Sequence, residues 1–327
     1  FKESTIEFSE LLKNNLRKIF KLNEECEIIF SPSGTDSSLQ IAAITQIISD
    51  KEITHILVAS DETGSGVASA LNGCHFENTT ALNFPIKKGD RIEGFRDVNV
   101  TKTKDLGRHV VLHTMDQSKL GYQAPSDEFI KRLKTLKDLS IQIIVDGSQL
   151  RLDPKDIQNY LNKGYIVTIT GSKFFTGPPY CGALLLPKSV NRLIHSAKNS
   201  LPKGLTQYYN HSDWPTSWNC SNALSDGFNY GSYMRWNAAV VEMDRYYKTP
   251  ILYRNMGIEM FCDFVDDSIR EASFLQPIYG DETKTNGYSS KEFGIRNIRT
   301  IFPFFIFQNN EVLSVDKVKK LYTLLNS

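Results

Sequence analysis

A lysine, an aspartate and a glutamine lie behind apolar strands in this chain, and their placement suggests chemistry. Lys173 sits in Thr170-Gly171-Ser172-Lys173-Phe174-Phe175-Thr176-Gly177-Pro178-Pro179, directly after the run Tyr165-Ile166-Val167-Thr168-Ile169. A lysine drawn into such surroundings loses solvation, its pKa falls, and its amine becomes a nucleophile suited to Schiff-base formation. The plain alternative is a surface lysine. Asp146 ends another apolar run, Ile141 to Val145, and is followed by Gly147-Ser148-Gln149. A carboxylate there is either a helix cap, the common case, or a counter-ion for a cationic group. Earlier, Ser31-Pro32-Ser33-Gly34-Thr35-Asp36-Ser37 follows Glu27-Ile28-Ile29-Phe30. A small, glycine-containing turn opening a helix presents backbone N–H groups and a helix dipole to an anion, and the hydroxyls of Ser33 and Thr35 add donors. Its bland reading is an N-cap on Thr35, Asp36 or Ser37.

These residues need elements to hold them. Helical spacing is predicted over 6–22, 37–48 and 125–139, and strands over 27–30, 54–59, 107–114, 141–145, 165–169 and 182–186. Alternation of strand and helix over this length predicts an α/β fold. It is a three-layer α/β/α large domain with a mostly parallel sheet, whose ligands gather at the carboxyl ends of the strands. The expected division is a large domain over 1–245 and a small α+β domain, short of strands, over 246–327. A helix is expected from Asn229 to about Tyr247, a helical pattern from Met256 to Ile269, a strand over 301–307 and a helix over 315–325.

Composition excludes several classes. The chain has 327 residues, with 38 basic against 37 acidic side chains, so neither a nucleic-acid surface nor a basic membrane face is expected. No apolar run is long enough to span a membrane. The five cysteines (Cys26, Cys74, Cys181, Cys220, Cys262) are scattered without C-x-x-C or Cys/His clusters. No disulfide framework and no metal site are expected, and the setting reads as cytoplasmic. Gly64-Ser65-Gly66 lacks the third glycine of a dinucleotide loop, since Ser69 holds that place. An α/β phosphate-ester or nucleotide enzyme using 33–37 as its anion loop would lack the P-loop ending and an acidic metal cluster.

Together the ordered set resembles pyridoxal-5′-phosphate (PLP) enzymes of fold type I, the aspartate aminotransferase superfamily. It is closest to the class V branch that includes cysteine desulfurases, phosphoserine aminotransferase and kynureninase. Asp146 with Gln149, then Thr170 three residues before Lys173, and the strand 182–186 carry the likeness, with Lys173 27 residues beyond Asp146. It covers residues 25 to 190 well and the remainder loosely. The resemblance implies that Lys173 forms the Schiff base and shuttles the proton. Asp146 would partner the pyridinium nitrogen, and Gln149 would bond the ring's phenolic oxygen. Ser33, Gly34 and Thr35, with Ser172 or Thr170, would hold the phosphate, and Ser118 falls where an Asn contacts the cofactor. Asn229 and Gly231 would reach the phosphate of a partner subunit in a homodimer. Arg235 would bind a substrate carboxylate or serve in a structural ion pair, and Arg299 substitutes for an absent family arginine. The segment 204–214, with Tyr208, Tyr209, Asp213 and Trp214, would line the site or a dimer interface, or simply pack.

The chain departs from the family in two places. No aromatic or His stands near Glu62-Thr63-Gly64 to stack on the ring, leaving Thr63 there, and Ser172 stands where desulfurases carry His. The activity implied is transamination of an amino acid. The alternatives are a C–S or β-lyase, desulfurase-like, and an inactive binding protein of the same fold. A desulfurase would need a mobile thiol, for which only Cys220 and Cys262 lie far enough along, and Cys262 falls in a helical pattern.

Overall fold

The structure, a computed structural model, describes residues 2–58, 60–101, 109–136, 140–278 and 299–327. Ala59, 107–108 and 137–139, which belong to predicted elements, lie outside them. The chain divides into two compact units, one of residues 1–118 and 122–248, the other of 119–121 and 249–327.

In the first unit the elements alternate: α1 (Lys2–Phe20), β1 (Glu27–Ser31), α2 (Gly34–Ile48), β2 (Ile53–Leu57), α3 (Val67–Leu71), β3 (Asn99–Thr101), β4 (His109–Met115) and α4 (Asp127–Leu133). They continue with β5 (Ser140–Gly147), α5 (Pro154–Asn162), β6 (Ile166–Thr170), β7 (Gly182–Leu186), α6 (Lys188–Ser196) and α7 (Tyr230–Lys248). The seven strands form one sheet in the order β1-β7-β6-β5-β4-β2-β3. Only β7 runs against its neighbours; all other pairings are parallel.

Both faces of this sheet are covered, which is why its strands read as continuous apolar runs rather than alternating ones. Side chains still alternate between the faces. Val111, Ile144, Leu184 and Leu186 point into a core shared with α2, α3 and α6, while Ile143, Val145, Ala183 and Leu185 point into a core shared with α1, α5 and α7. Leu12, Leu16 and Phe20 of α1 and Tyr233, Trp236, Val240 and Met243 of α7 recur at helical spacing and are all buried. Tyr208, Tyr209, Asp213 and Trp214 of the 204–214 segment are also buried. Helix α2 begins earlier than the predicted 37. Its N-cap is Ser33, whose Oγ accepts from the Asp36 N–H at 3.2 Å, and not Thr35, Asp36 or Ser37. The N-cap hydroxyl captures an orphan amide, which extends the helix back through the turn residues.

The second unit holds α8 (Ile251–Glu271), β8 (Leu275–Pro277), β9 (Phe304–Gln308), β10 (Glu311–Val312) and α9 (Val315–Leu325), with an antiparallel sheet ordered β10-β9-β8. Cys262 is buried on α8, as its helical spacing implied.

Two histidines are enclosed in the large sheet. His55 Nδ1 lies 3.0 Å from His113 Nε2 across β2 and β4. Burial lowers His113 to about 3 and holds His55 well below the ordinary value, the adjoining imidazole adding to the second effect. Unfolded, each titrates near the usual ~6.5. Below that pH the unfolded chain binds protons the folded chain refuses, so their contribution to stability is present above ~6.5 and is lost as pH falls. Asp36 and Asp213, raised by burial to about 6, act in the opposite sense, because the folded state binds their protons first. Comparison with H113Q therefore isolates the histidine. In urea denaturation, the stability of the parent relative to H113Q is expected to fall by about 1.4 kcal/mol per pH unit between pH 6 and 4. A difference independent of pH would refute this.

Candidate active site

The carboxyl ends of β1, β2, β5 and β6 feed four loops, and several side chains of those loops meet. Asp146 is the penultimate residue of β5 and pairs in register with Thr168 of β6. It caps no helix; α5 is capped by Asp153, whose N–H donates to Asp156 Oδ2 at 3.1 Å. Asp146 Oδ1 instead accepts from the Ser148 N–H at 3.0 Å and from the Thr168 hydroxyl at 3.3 Å. Two donors, one from the β5 loop and one from β6, thus fix one carboxylate oxygen and orient the group. Thr168 and Ser148 were missed in the sequence, where Thr168 reads simply as part of a buried strand. Its register opposite Asp146 is the signal, and register is set only once the strands pair.

Ser148 links Asp146 to the anion loop. A Cβ on Gly34 would stand 3.2 Å from Ser148 Oγ, so the turn opening α2 closes directly over the β5 loop. Thr35 closes against the β2 loop. A Cβ on Gly64 would lie 3.2 Å from Thr35 Oγ1, and one on Gly66 would lie 3.0 Å from Thr35 Cγ2. The glycines permit a close backbone approach that any side chain would obstruct. Ser33, Gly34, Thr35, Thr63 and Ser172 are all half-buried here. Backbone N–H groups at a helix N-terminus, two hydroxyls and bordering glycines suit a phosphate-sized anion.

Lys173 lies three residues past β6, in a turn closed by Thr176 N–H donating to the Lys173 carbonyl at 3.0 Å. The side chain is exposed, contrary to the burial expected of it. The loop carries it beyond the end of the sheet, where strands no longer enclose it. The loop itself is pinned. A Cβ on Gly171 would come within 2.6 Å of Ala239 Cβ and 2.7 Å of Cys181 Sγ, and one on Gly177 within 2.7 Å of the Gly171 carbonyl. Trp236 of α7 donates to the Gly182 carbonyl at 3.0 Å, fixing the far side of the loop.

Other expected residues have defined partners. Gln149 Oε1 accepts from Arg151 Nη1 at 2.8 Å, which leaves its amide NH₂ as a donor. Thr170 donates its only hydroxyl proton to the Ser148 carbonyl at 2.6 Å, so here it ties β6 to the β5 loop rather than offering a proton to an anion. Buried Ser118 closes a turn with Tyr122 through two hydrogen bonds. Asn229 accepts from the Ser232 N–H at 3.1 Å and so caps α7. A Cβ on Gly231 would stand 2.8 Å from Arg235 Nη1, so the guanidinium lies over that glycine. Arg235 also stacks on Tyr180 at 5.9 Å, and among the described residues no carboxylate pairs with it, so the structural ion pair is not seen. Arg299 belongs to the second unit, where it pairs with Asp266 at 2.9 Å and lies over Phe302. Among the described residues no three His, Cys, Asp or Glu side chains gather around a metal position, and no helix is long and apolar enough to cross a membrane.

The large unit thus has its polar groups collected at the carboxyl ends of a doubly covered parallel sheet, and the chain as a whole has the architecture called fold type I. Solved structures share it. A phosphoserine aminotransferase from Trichomonas vaginalis, solved with PLP bound, matches over 93% of this chain and 77% of its own, with a TM-score of 0.50 and 15% identity. A cysteine desulfurase from Escherichia coli matches over 86% and 67%, with a TM-score of 0.52 and 12% identity. A NifS-like protein matches over 85% and 68%, with a TM-score of 0.51 and 12% identity. Likeness at this identity establishes the fold. No family model matches the chain, and no curated protein does.

The pinned lysine loop yields a direct test. G171A is expected to lose about 1–3 kcal/mol in thermal or urea unfolding, because the new methyl meets packed atoms. G257A, on α8 with nothing within 4 Å of its Cβ, is expected to gain about 0.5–1 kcal/mol. Equal effects of the two would show that the loop yields freely.

Proposed function

We propose that this chain is a PLP-dependent enzyme acting on an amino acid, with transamination as its reaction. The observation that carries the proposal is Asp146. Its carboxylate is oriented at the end of a central strand by Thr168 and the Ser148 N–H. The amine of Lys173 follows on the next strand's loop, and an anion cradle closes over the same Ser148. A planar cofactor with a cationic ring nitrogen at one end and a phosphate at the other would match that order of groups.

In this reading the amine of Lys173 is the attachment point and the base that moves the substrate's α-proton. Asp146 keeps a proton on the ring nitrogen. Bound there, the cofactor supplies an electron sink for the carbanion of an amino acid. Gln149 donates its NH₂ to the phenolic oxygen. Ser33, the N–H groups of Gly34 and Thr35, and Ser172 hold the phosphate, with Thr170 supporting the loop. Thr63 and Ser118 border the ring. Arg235, held on Tyr180 and unpaired with any described carboxylate, receives the substrate carboxylate. Arg299 is a weaker choice, since Asp266 already engages it. A homodimer would place Asn229 and Gly231 at the partner's phosphate.

Elimination is the second reaction, and sulfur transfer has less support. Burial pushes the Cys220 thiol up to about 11, away from a ready thiolate, and Cys262 is buried on α8 rather than on a mobile loop.

The purified protein is expected to show a near-visible band with PLP that borohydride abolishes, leaving a pyridoxyl group on the peptide containing Lys173. K173A should lack the band. D146N should keep it but lose about 10²-fold or more in turnover, as befits loss of a group that holds a proton in place. A protein that stays colourless with added PLP would refute the enzyme reading and favour an inactive scaffold.

A further inference from the structure

Asp36 is an acid placed where an anion site should not have one. It lies in the first turn of α2, behind the cradle formed by Ser33, Gly34 and Thr35. Its side chain is buried, and its Oδ2 accepts from the Ser33 hydroxyl at 2.5 Å. The titratable groups that face it from packed elements are the phenols of Tyr208 and Tyr209. Tyr209 donates to the Asp36 carbonyl at 2.7 Å. Behind them, His75 Nδ1 lies 2.6 Å from the Tyr208 hydroxyl, and Asp213 bears on Tyr209. Burial raises both phenols and lowers the imidazole, so all three stay neutral near neutral pH. No Lys or Arg among the described residues bears on the Asp36 carboxyl. Among the described residues, the Ser33 hydroxyl and the backbone N–H groups of Asp36 and Ser33 are what offset its charge.

An ionised Asp36 has a second consequence. It takes the single proton of Ser33, so that hydroxyl cannot donate to an anion in the cradle. A dianion there would also stand beside a buried like charge, which costs most where water is excluded. Both conflicts vanish if the carboxyl carries a proton. Its O–H then donates to Ser33 Oγ, and the Ser33 O–H is released to donate to the anion.

Resting on the PLP reading above, we propose that Asp36 is a positioning residue that binds one proton when the cofactor's phosphate binds and thereby turns the Ser33 hydroxyl toward it. The proton comes from solvent, Asp36 Oδ2 receives it, and no covalent bond beyond that O–H changes. Burial already raises this carboxyl to about 6, so the uptake begins from a group half-way prepared for it.

The test is the dissociation constant of PLP from the wild type and from D36N between pH 6 and 9, read by the visible band. The carboxamide donates permanently to Ser33 Oγ, and any titration of Lys173 or of the phosphate is common to both proteins. The wild-type constant is expected to rise relative to the D36N constant by about tenfold per pH unit above ~7, the slope of one linked proton. A ratio that stays flat while both proteins bind PLP overturns the inference and leaves the cofactor reading standing. No band in either protein at any pH removes the cofactor reading and this inference with it. If D36N does not fold, calorimetry of the wild type at pH 8 in two buffers of different ionisation enthalpy decides the matter. Uptake of about one more proton with PLP than with pyridoxal supports the inference, and equal uptake overturns it.

Discussion

A parallel sheet covered on both faces cannot carry charge along its length, and this constraint arranges the rest of the molecule. Every side chain of β4, β6 and β7 is buried. A carboxylate within them would forfeit several kcal/mol of hydration. The strand ends are the first positions where backbone N–H groups, loop hydroxyls and water are within reach. Asp146 sits at that border, one residue from the end of β5. The β5–β6 register then brings Thr168 opposite it. Glycines do the complementary work, letting the α2 turn and the β2 loop approach without side chains between them.

Much of the large unit was legible because its strands are short, apolar and separated by helical spacing. The strand at Gly182–Leu186 was read to the residue. The α2 start was misplaced because a Ser-Gly-Thr-Asp run offers several competing caps, and only the folded geometry selects Ser33. The expectation of a buried Lys173 failed for a related reason. Apolar neighbours in sequence say that a strand is buried, but not where the chain leaves the sheet, and Phe174 and Phe175 turn toward Tyr246 while the lysine does not follow.

The candidate site was legible in its one-dimensional order and illegible in its cross-links. Asp146, Gln149 and Lys173 stand at strand ends, which periodicity reveals. Thr168 to Asp146, Thr170 to the Ser148 carbonyl and Arg151 to Gln149 are contacts between side chains and neighbouring loops or strands. They depend on register and turn geometry. Asn229 shows the same limit in the other direction. A residue read as reaching another subunit is, within its own chain, the cap of α7.

The two carboxylates of the site differ because their surroundings differ. Asp146 is partly exposed, and one of its oxygens accepts from a backbone amide and a threonine hydroxyl. Asp36 is enclosed by Tyr209, Ser33 and the first turn of α2, and burial outweighs its hydrogen bonds. In the proposals above, Asp146 partners the cofactor's ring and Asp36 accepts a proton when negative charge arrives beside it. The difference in surroundings follows from position along the strand and helix ends. Asp146 stands where β5 opens to solvent. Asp36 stands in the first turn of α2, where Tyr209 closes over it.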